Sequence, residues 1–125
     1  MNIEKLVRNL IDTFLNAGEV SIKLRDRGLT KKIKSDNTPV SNGDLEVNKI
    51  ISRKLKELAP SIPIISEETS DNKLIKDLKD FWLVDPIDGT YDYINDLDEF
   101  TINAGLILNR KPIAGLILAP AKKRM

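Results

Sequence analysis

Ile3, Leu6, Val7, Leu10, Ile11, Phe14 and Leu15 recur at the i, i+3, i+4, i+7 spacing that puts apolar side chains on one face of a helix. The pattern extends through Ile22 and Leu24, and Gly28 supplies a stop. Lys31-Lys32-Ile33-Lys34 reads as a short strand. The run Ser35-Asp36-Asn37-Thr38-Pro39 reads as a loop in which Pro39 drives Thr38 extended. Ser41 or Asn42 can cap a second helix. Its buried face is expected at Leu45, Ile50, Ile51, Leu55 and Leu58, and Pro60 closes it.

Strand signals follow. Ile62 to Ser66 is one, and a weak helix is expected from Asn72 to Leu78. Phe81 to Val84 is the next strand. Phe100 to Leu108 has the composition of a strand buried on both faces. Asn109 to Pro112 reads as a turn, with Ile113 to Ala119 as the hairpin partner. Helices come first and strands dominate later, which predicts an α+β fold: two N-terminal helices packed on a mostly antiparallel sheet. Phe14, Phe81 and Phe100 are expected in its core. The last strand has nothing after it to cover its edge, so a partner or an earlier strand must do so.

At 125 residues the chain, 1–125, is expected to form a single domain. With 41% hydrophobic and 31% charged residues, it has an ordinary globular balance. A net charge of +1 argues against a nucleic acid polymer as partner. The basic cluster Lys122-Lys123-Arg124 reads as a solvated tail. No apolar run reaches the length of a membrane span, and no cleavable signal pattern opens the chain, so a cytoplasmic protein is expected. Composition restricts the chemistry further. With no cysteine and no histidine, thiolate or imidazole metal ligands, cysteine nucleophiles and Ser-His-Asp triads are all excluded. Catalysis has to run on carboxylates, lysines, hydroxyls, backbone amides and a metal.

The candidate chemistry sits in Asp85-Pro86-Ile87-Asp88-Gly89-Thr90, directly after the strand Phe81-Trp82-Leu83-Val84. Two carboxylates emerge where a strand stops, beside a hydroxyl. Upstream, Glu67-Glu68 ends the run Ile62-Pro63-Ile64-Ile65. Hard oxygen ligands at strand ends suit Mg²⁺. Phosphate ester hydrolysis needs neutralised phosphoryl oxygens, an activated water and a stabilised leaving group, which two ions about 3.5–4 Å apart can supply. Glu67, Asp85 and Asp88 offer three carboxylates, the carbonyl of Ile87 a fourth ligand, and Asp85 can bridge two ions. If a helix starts at the turn, the amides of Gly89 and Thr90 can face a phosphate oxygen. Each feature also has a plainer reading. Asp, Pro and Gly favour turns by themselves. Glu67-Glu68 can be a solvated strand end, Asp44 a helix-start carboxylate and Thr90 a helix cap. Tyr91, Asp92 and Tyr93 read as cover for the mouth of the site, and Asp96, Asp98 and Glu99 as loop solubility.

Several ordered blocks carry a family resemblance. Trp82-Leu83-Val84 followed by Asp85-Pro86-Ile87-Asp88-Gly89-Thr90 resembles the signature of the inositol monophosphatase superfamily. Lys34 to Val40 followed by Asp44 is similar to its early active-site loop, and Ile65-Ser66-Glu67-Glu68 to its paired-glutamate strand. Glu99-Phe100-Thr101-Ile102-Asn103, then Lys111-Pro112-Ile113-Ala114-Gly115 and Ala119-Pro120, resembles the bacterial 3′(2′),5′-bisphosphate nucleotidase branch linked to sulfate assimilation.

The resemblance implies that Glu67 binds the first metal, Asp85 bridges two, the Ile87 carbonyl completes the first site and Asp88 serves the second. Thr90 would orient the attacking water, with Asp44 holding the Thr90 hydroxyl, and Glu68 would be a neighbouring support. Gly89 and Thr90 amides would hold the substrate phosphate, and two or three Mg²⁺ ions are expected in a complete enzyme. The substrate would be a small phosphorylated metabolite, adenosine 3′,5′-bisphosphate losing its 3′-phosphate, with inositol monophosphate or another small sugar phosphate as alternatives. The resemblance also implies that this chain is the N-terminal half of a layered α/β/α/β/α fold. The C-terminal domain, with a Trp-Asp motif that completes the second metal site, has no counterpart here. A truncated chain of this kind is expected to be poorly active, or an inactive metal-binding or interaction module. Its partner would be a complementing C-terminal half or another copy of itself.

Overall fold

In the computed structural model, residues 2–33, 39–66 and 78–123 are described. The first helix, α1, spans Ile3–Arg27, as its apolar period predicts. Asn2 caps it by accepting from the Lys5 amide at 3.0 Å, and Gly28 ends it at φ 95°. Two short strands follow, β1 (Lys31–Ile33) and β2 (Pro39–Ser41), paired antiparallel. The second of these is absent from the sequence prediction, which assigns that stretch to loop and helix start. Helix α2 covers Asn42–Leu58. Its buried face runs through Asp44, Val47, Asn48, Ile51 and Leu55, while Leu45 is 48% exposed. The expected stripe is therefore rotated, because two polar residues occupy inward positions that apolar periodicity does not register.

The main sheet has the order β3-β4-β5-β6: Ile64–Ser66, Phe81–Asp88, Thr101–Leu108 and Lys111–Leu118. β3 runs parallel to β4 and the other pairs are antiparallel. A five-residue helix, α3 (Thr90–Ile94), sits between β4 and β5, and a 3₁₀ turn, Pro120–Lys122, follows β6. The expected weak helix at Asn72 lies outside the described residues, as do Glu67 and Glu68; Leu78 itself is in neither helix nor strand. The β5–β6 turn is tighter than predicted. Only Asn109 and Arg110 lie in it, both at positive φ, and Pro112 falls within the outer strand, where a missing N–H does least harm.

Both long helices cover one face of the sheet. Leu6, Leu10, Phe14 and Ala17 of α1 meet Val47, Ile51 and Leu55 of α2 over Trp82, Val84, Ile102, Ala104, Leu106, Leu116 and Leu118. Phe14 and Phe100 lie in this core, but Phe81 projects from the opposite face and is only partly buried. No helix among the described residues is long and apolar enough to cross a membrane.

Truncating Phe14, fully buried, to alanine should lower the unfolding free energy by about 3–5 kcal/mol in a urea titration. A loss under about 1 kcal/mol would place that side chain outside the core.

Candidate functional site

The site is built where β4 ends. Asp85 pairs with Asn103 and Asp88 with Thr101, so three steps on β4 match two on β5. That bulge has a direct consequence. Without it, side chains three residues apart would point to opposite faces. Thr101 and Asn103 share a face, and the Asn103 amide donates to the Thr101 hydroxyl at 2.9 Å. Their partners Asp85 and Asp88 therefore emerge on that same face, the one turned away from the long helices. Pro86 and Ile87 fill the bulge and are buried, whereas Asp85 is partly exposed and Asp88 exposed.

Gly89 then turns the chain at φ 87°, ψ 45°, a left-handed conformation that disfavours other residues. It also packs against backbone: a Cβ there would lie 3.2 Å from the Glu99 carbonyl oxygen. Gly89, not Thr90, is the N-cap of α3, and Thr90 is its first helical residue. The Thr90 hydroxyl lies 2.9 Å from Asp44 Oδ1 and 3.2 Å from the Ile87 carbonyl oxygen, so its single proton has two acceptors to choose from.

Asp44 is held from the other side. It is 1% exposed, and its Oδ2 accepts from the Ser41 hydroxyl at 2.5 Å and the Ser41 amide at 3.0 Å. The Asp44 amide in turn donates to Ser41 Oγ at 3.2 Å. This is a capping box at the start of α2, with the second carboxylate oxygen left to face Thr90.

Three supports lie outside the sequence prediction. Asn48, one turn after Asp44, accepts from the Ser66 hydroxyl at 2.6 Å and so fixes the end of β3, immediately before Glu67. Tyr93 does not cover the site mouth; it is fully buried, and its hydroxyl donates to the Ser21 carbonyl at 2.6 Å. Its ring lies so close to Gly43 that a Cβ there would collide with the phenolic oxygen. Burial pushes the Tyr93 phenol well above its usual range; the Asp44 charge adds to this and Arg25 partly opposes it.

Arg25 is the third. Its guanidinium donates to the Leu97 carbonyl at 2.7 Å and stacks over the rings of Phe100 and Tyr93, 5.1 and 5.8 Å away. It also pairs with Asp96 and Asp98 at 3.3 Å, but those carboxylates are 83% and 63% exposed, so the carbonyl bond and stacking hold the loop more than the ion pairs do. Asp96 and Asp98 thus add little to the anchoring of the loop, and Glu99 pairs at 2.6 Å with Lys122 of the expected solvated tail. The sequence signals for these supports are faint: a polar i, i+4 pair, Asp44 and Asn48, inside an apolar stripe, and a lone arginine near a helix end.

The structure brings Asp44, Thr90 and the Ile87 carbonyl into direct contact and puts Asp85 and Asp88 on one face beside them. Among the described residues, no three acidic side chains gather around one point. Glu67, the expected third carboxylate, lies outside them. The donors that are described are hard oxygens, two carboxylates and a carbonyl, which fits Mg²⁺ and does not fit a soft metal.

Comparison with known proteins gives a consistent picture. The model of the inositol monophosphatase family matches residues 2–125. The 3′(2′),5′-bisphosphate nucleotidase CysQ of Aggregatibacter actinomycetemcomitans is 37% identical over 117 residues, covering 92% of this chain and 44% of that protein. Among solved structures, the extragenic suppressor protein suhB from Bartonella henselae superposes with a TM-score of 0.84 at 23% identity, over 95% of this chain and 46% of that one. An IMPase/NADP phosphatase complexed with Mg²⁺ and phosphate superposes with a TM-score of 0.79 at 22% identity, over 97% and 45%. The last two likenesses concern the fold. This chain spans less than half the length of the relatives it matches.

Gly43→Ala should cost about 1–3 kcal/mol of stability, because the new methyl must displace the Tyr93 ring; a loss below about 0.5 kcal/mol in urea unfolding would show that the ring is not wedged there. The raised Tyr93 phenol sets a pH dependence. The folded chain keeps that proton while the unfolded chain releases it near pH 10, so stability falls as pH climbs above about 10. Tyr93→Phe should flatten this fall by up to about 1.4 kcal/mol per pH unit, and parallel profiles of the two proteins would contradict the assignment.

Proposed function

Since the chain belongs to the inositol monophosphatase family, we propose that the Asp85–Thr90 turn is the metal-binding and water-orienting part of a Mg²⁺-dependent phosphomonoesterase. The proposed reaction removes the 3′-phosphate from adenosine 3′,5′-bisphosphate by direct in-line attack of water. The observation that carries the reading is the β4 bulge, which turns Asp85 and Asp88 to one face beside a threonine hydroxyl anchored by a buried carboxylate. The nucleotide substrate class is supported by the CysQ relative. The choice of Mg²⁺ is supported by the hard-oxygen donor set and by the Mg²⁺ and phosphate held by a structural neighbour.

Glu67, Asp85, Asp88 and the Ile87 carbonyl would hold the ions, which when bound supply charge neutralisation on the phosphoryl oxygens and acidify a water. The residues of the chain do the positioning. Asp44 is an acceptor, so it draws the Thr90 proton toward itself and leaves the lone pairs of the hydroxyl to accept from the attacking water. The Ile87 carbonyl is a second acceptor for the same proton, and a carbonyl oxygen has two lone pairs, so that contact is compatible with its use as a ligand. The amides of Gly89 and Thr90 would donate to a phosphate oxygen. With more than half of each relative unmatched, full turnover is proposed for the complete assembly, and metal binding for this chain.

In a thermal melt, Mg²⁺ at ten times its Kd should stabilise the chain by about 1.4 kcal/mol. Asp85→Asn should abolish the shift, whereas Thr90→Val should keep it. No shift in the unaltered protein, or an undiminished shift in Asp85→Asn, would refute the metal assignment. In the complete assembly, preference for inositol monophosphate over adenosine 3′,5′-bisphosphate would refute the substrate.

A further inference from the structure

The face of the main sheet turned away from the long helices is polar in one corner. Away from the candidate site its positions are Leu83, Gly105, Ile107, Gly115 and Ile117. At the end of β4 they become Asp85, Asp88, Thr101 and Asn103, which stand opposite one another in two pairs, Asp85 with Asn103 and Asp88 with Thr101. The two aspartates belong to the proposed metal site; the other two residues hold no ion in that reading. Asparagine is depleted from strands, yet Asn103 lies inside a strand that is paired on both sides, with Ile117 as its other neighbour. A residue that works against its local structure marks a place where something else is gained.

The side chain of Asn103 is already oriented. Its amide nitrogen donates to the Thr101 hydroxyl at 2.9 Å, two residues back on the same face. That leaves Oδ1 as an acceptor, and among the described residues no donor meets it. Directly opposite side chains on one face of an antiparallel pair have Cβ atoms about 4.5–5.5 Å apart, and like charges at that spacing destabilise the sheet. Asn103 thus places an uncharged acceptor beside the Asp85 carboxylate, where a further acid would be costly. Both residues are partly buried.

An acceptor next to a metal-binding carboxylate calls for a donor carried by the ion. Mg²⁺ dehydrates reluctantly and keeps several of its waters, each of which donates. Groups that hold a metal's own ligands from outside tune its affinity. We propose that Asn103 is an outer-sphere partner of an ion held at Asp85, accepting through Oδ1 from a water that the ion retains. Thr101 is then a positioning residue, which fixes the Asn103 amide through the bond between them. The proposal rests on the metal reading of the Asp85–Thr90 turn and adds a residue that meets the ion only through water. It also bears on the choice of ion. Ca²⁺ accepts more protein oxygens in a flexible geometry, whereas Mg²⁺ relies on retained water, so Asn103 favours Mg²⁺.

The test follows the melting temperature of the 125-residue chain against Mg²⁺ and, separately, Ca²⁺, which yields a Kd for each ion. The variants are Asn103→Leu, Thr101→Val and Thr101→Ser, with Asp85→Asn as control. Leucine keeps the volume of the side chain and suits a position beside Ile117, so the metal-free melting temperature should hold. Asn103→Leu should raise the Kd for Mg²⁺ about tenfold or more and that for Ca²⁺ about threefold or less. Thr101→Val should weaken Mg²⁺ binding in the same direction, and Thr101→Ser, which keeps the hydroxyl, should stay within about twofold of the unaltered chain. A Kd for Mg²⁺ within about twofold in Asn103→Leu overturns the proposal. So does an equal loss for both ions, the mark of a merely distorted site, and so does Thr101→Ser binding as weakly as Thr101→Val. The two serine and valine variants decide the matter if Asn103→Leu does not fold. Should the unaltered chain gain stability from Mg²⁺ and Asp85→Asn lose that gain, a failure in the Asn103 and Thr101 variants removes this inference alone; no gain in the unaltered chain removes the metal reading with it.

Discussion

A buried carboxylate with two commitments holds the candidate site together. One oxygen of Asp44 closes the capping box that starts α2, and the other accepts from Thr90, forty-six residues away, at the start of α3. Burying a carboxylate is costly unless its lone pairs are filled. Here the Ser41 amide, the Ser41 hydroxyl and the Thr90 hydroxyl fill them, and the positive end of the 17-residue α2 favours negative charge at that point. The same contact fixes where the β4–α3 turn sits relative to the helix layer. The orientation of Thr90 is therefore a property of the tertiary fold and not of the turn alone.

Around this contact the structure braces the turn from both sides. Tyr93 is anchored to α1 through Ser21 and pressed against Gly43, so α3 cannot shift without moving both long helices. Arg25 holds the 97–100 segment, whose backbone packs against Gly89. Asn48 fixes the end of β3 against α2. These braces use side chains drawn from α1, α2 and α3, and they fix the segments that flank the Asp85–Thr90 turn. The opposite side of the sheet has no such support among the described residues.

Sequence reading recovers what is written in local periodicity. Helix α1 is legible to its end because its apolar residues keep step from Ile3 to Leu15, Ile22 and Leu24 extend the pattern, and Gly28 stops it. The strand order of helices first and sheet later is legible for the same reason. Leu45, expected on the buried face, is exposed because the inward face of α2 is partly polar, and Asp44 and Asn48 displace the apolar stripe. Tyr93 reads as cover for the site mouth because its neighbours Tyr91 and Asp92 are polar or exposed; nothing local reveals the pocket made by Ser21 and Gly43. Strand β2 is three residues long and depends on pairing with β1. The bulge that aligns Asp85 with Asp88 is set by β5, so the spacing of the acids alone would have put them on opposite faces. The residues of the motif were legible, but their common direction was not.

The claim on which the account turns is that Asp44 and Thr90 interact directly. A double-mutant cycle with Asp44→Ala, Thr90→Val and the double substitution, followed by urea unfolding, measures that interaction apart from the capping that Asp44→Ala also removes. The account predicts a coupling of about 1–2 kcal/mol, as expected for a hydroxyl donating to a buried carboxylate. Additivity within about 0.3 kcal/mol would contradict it.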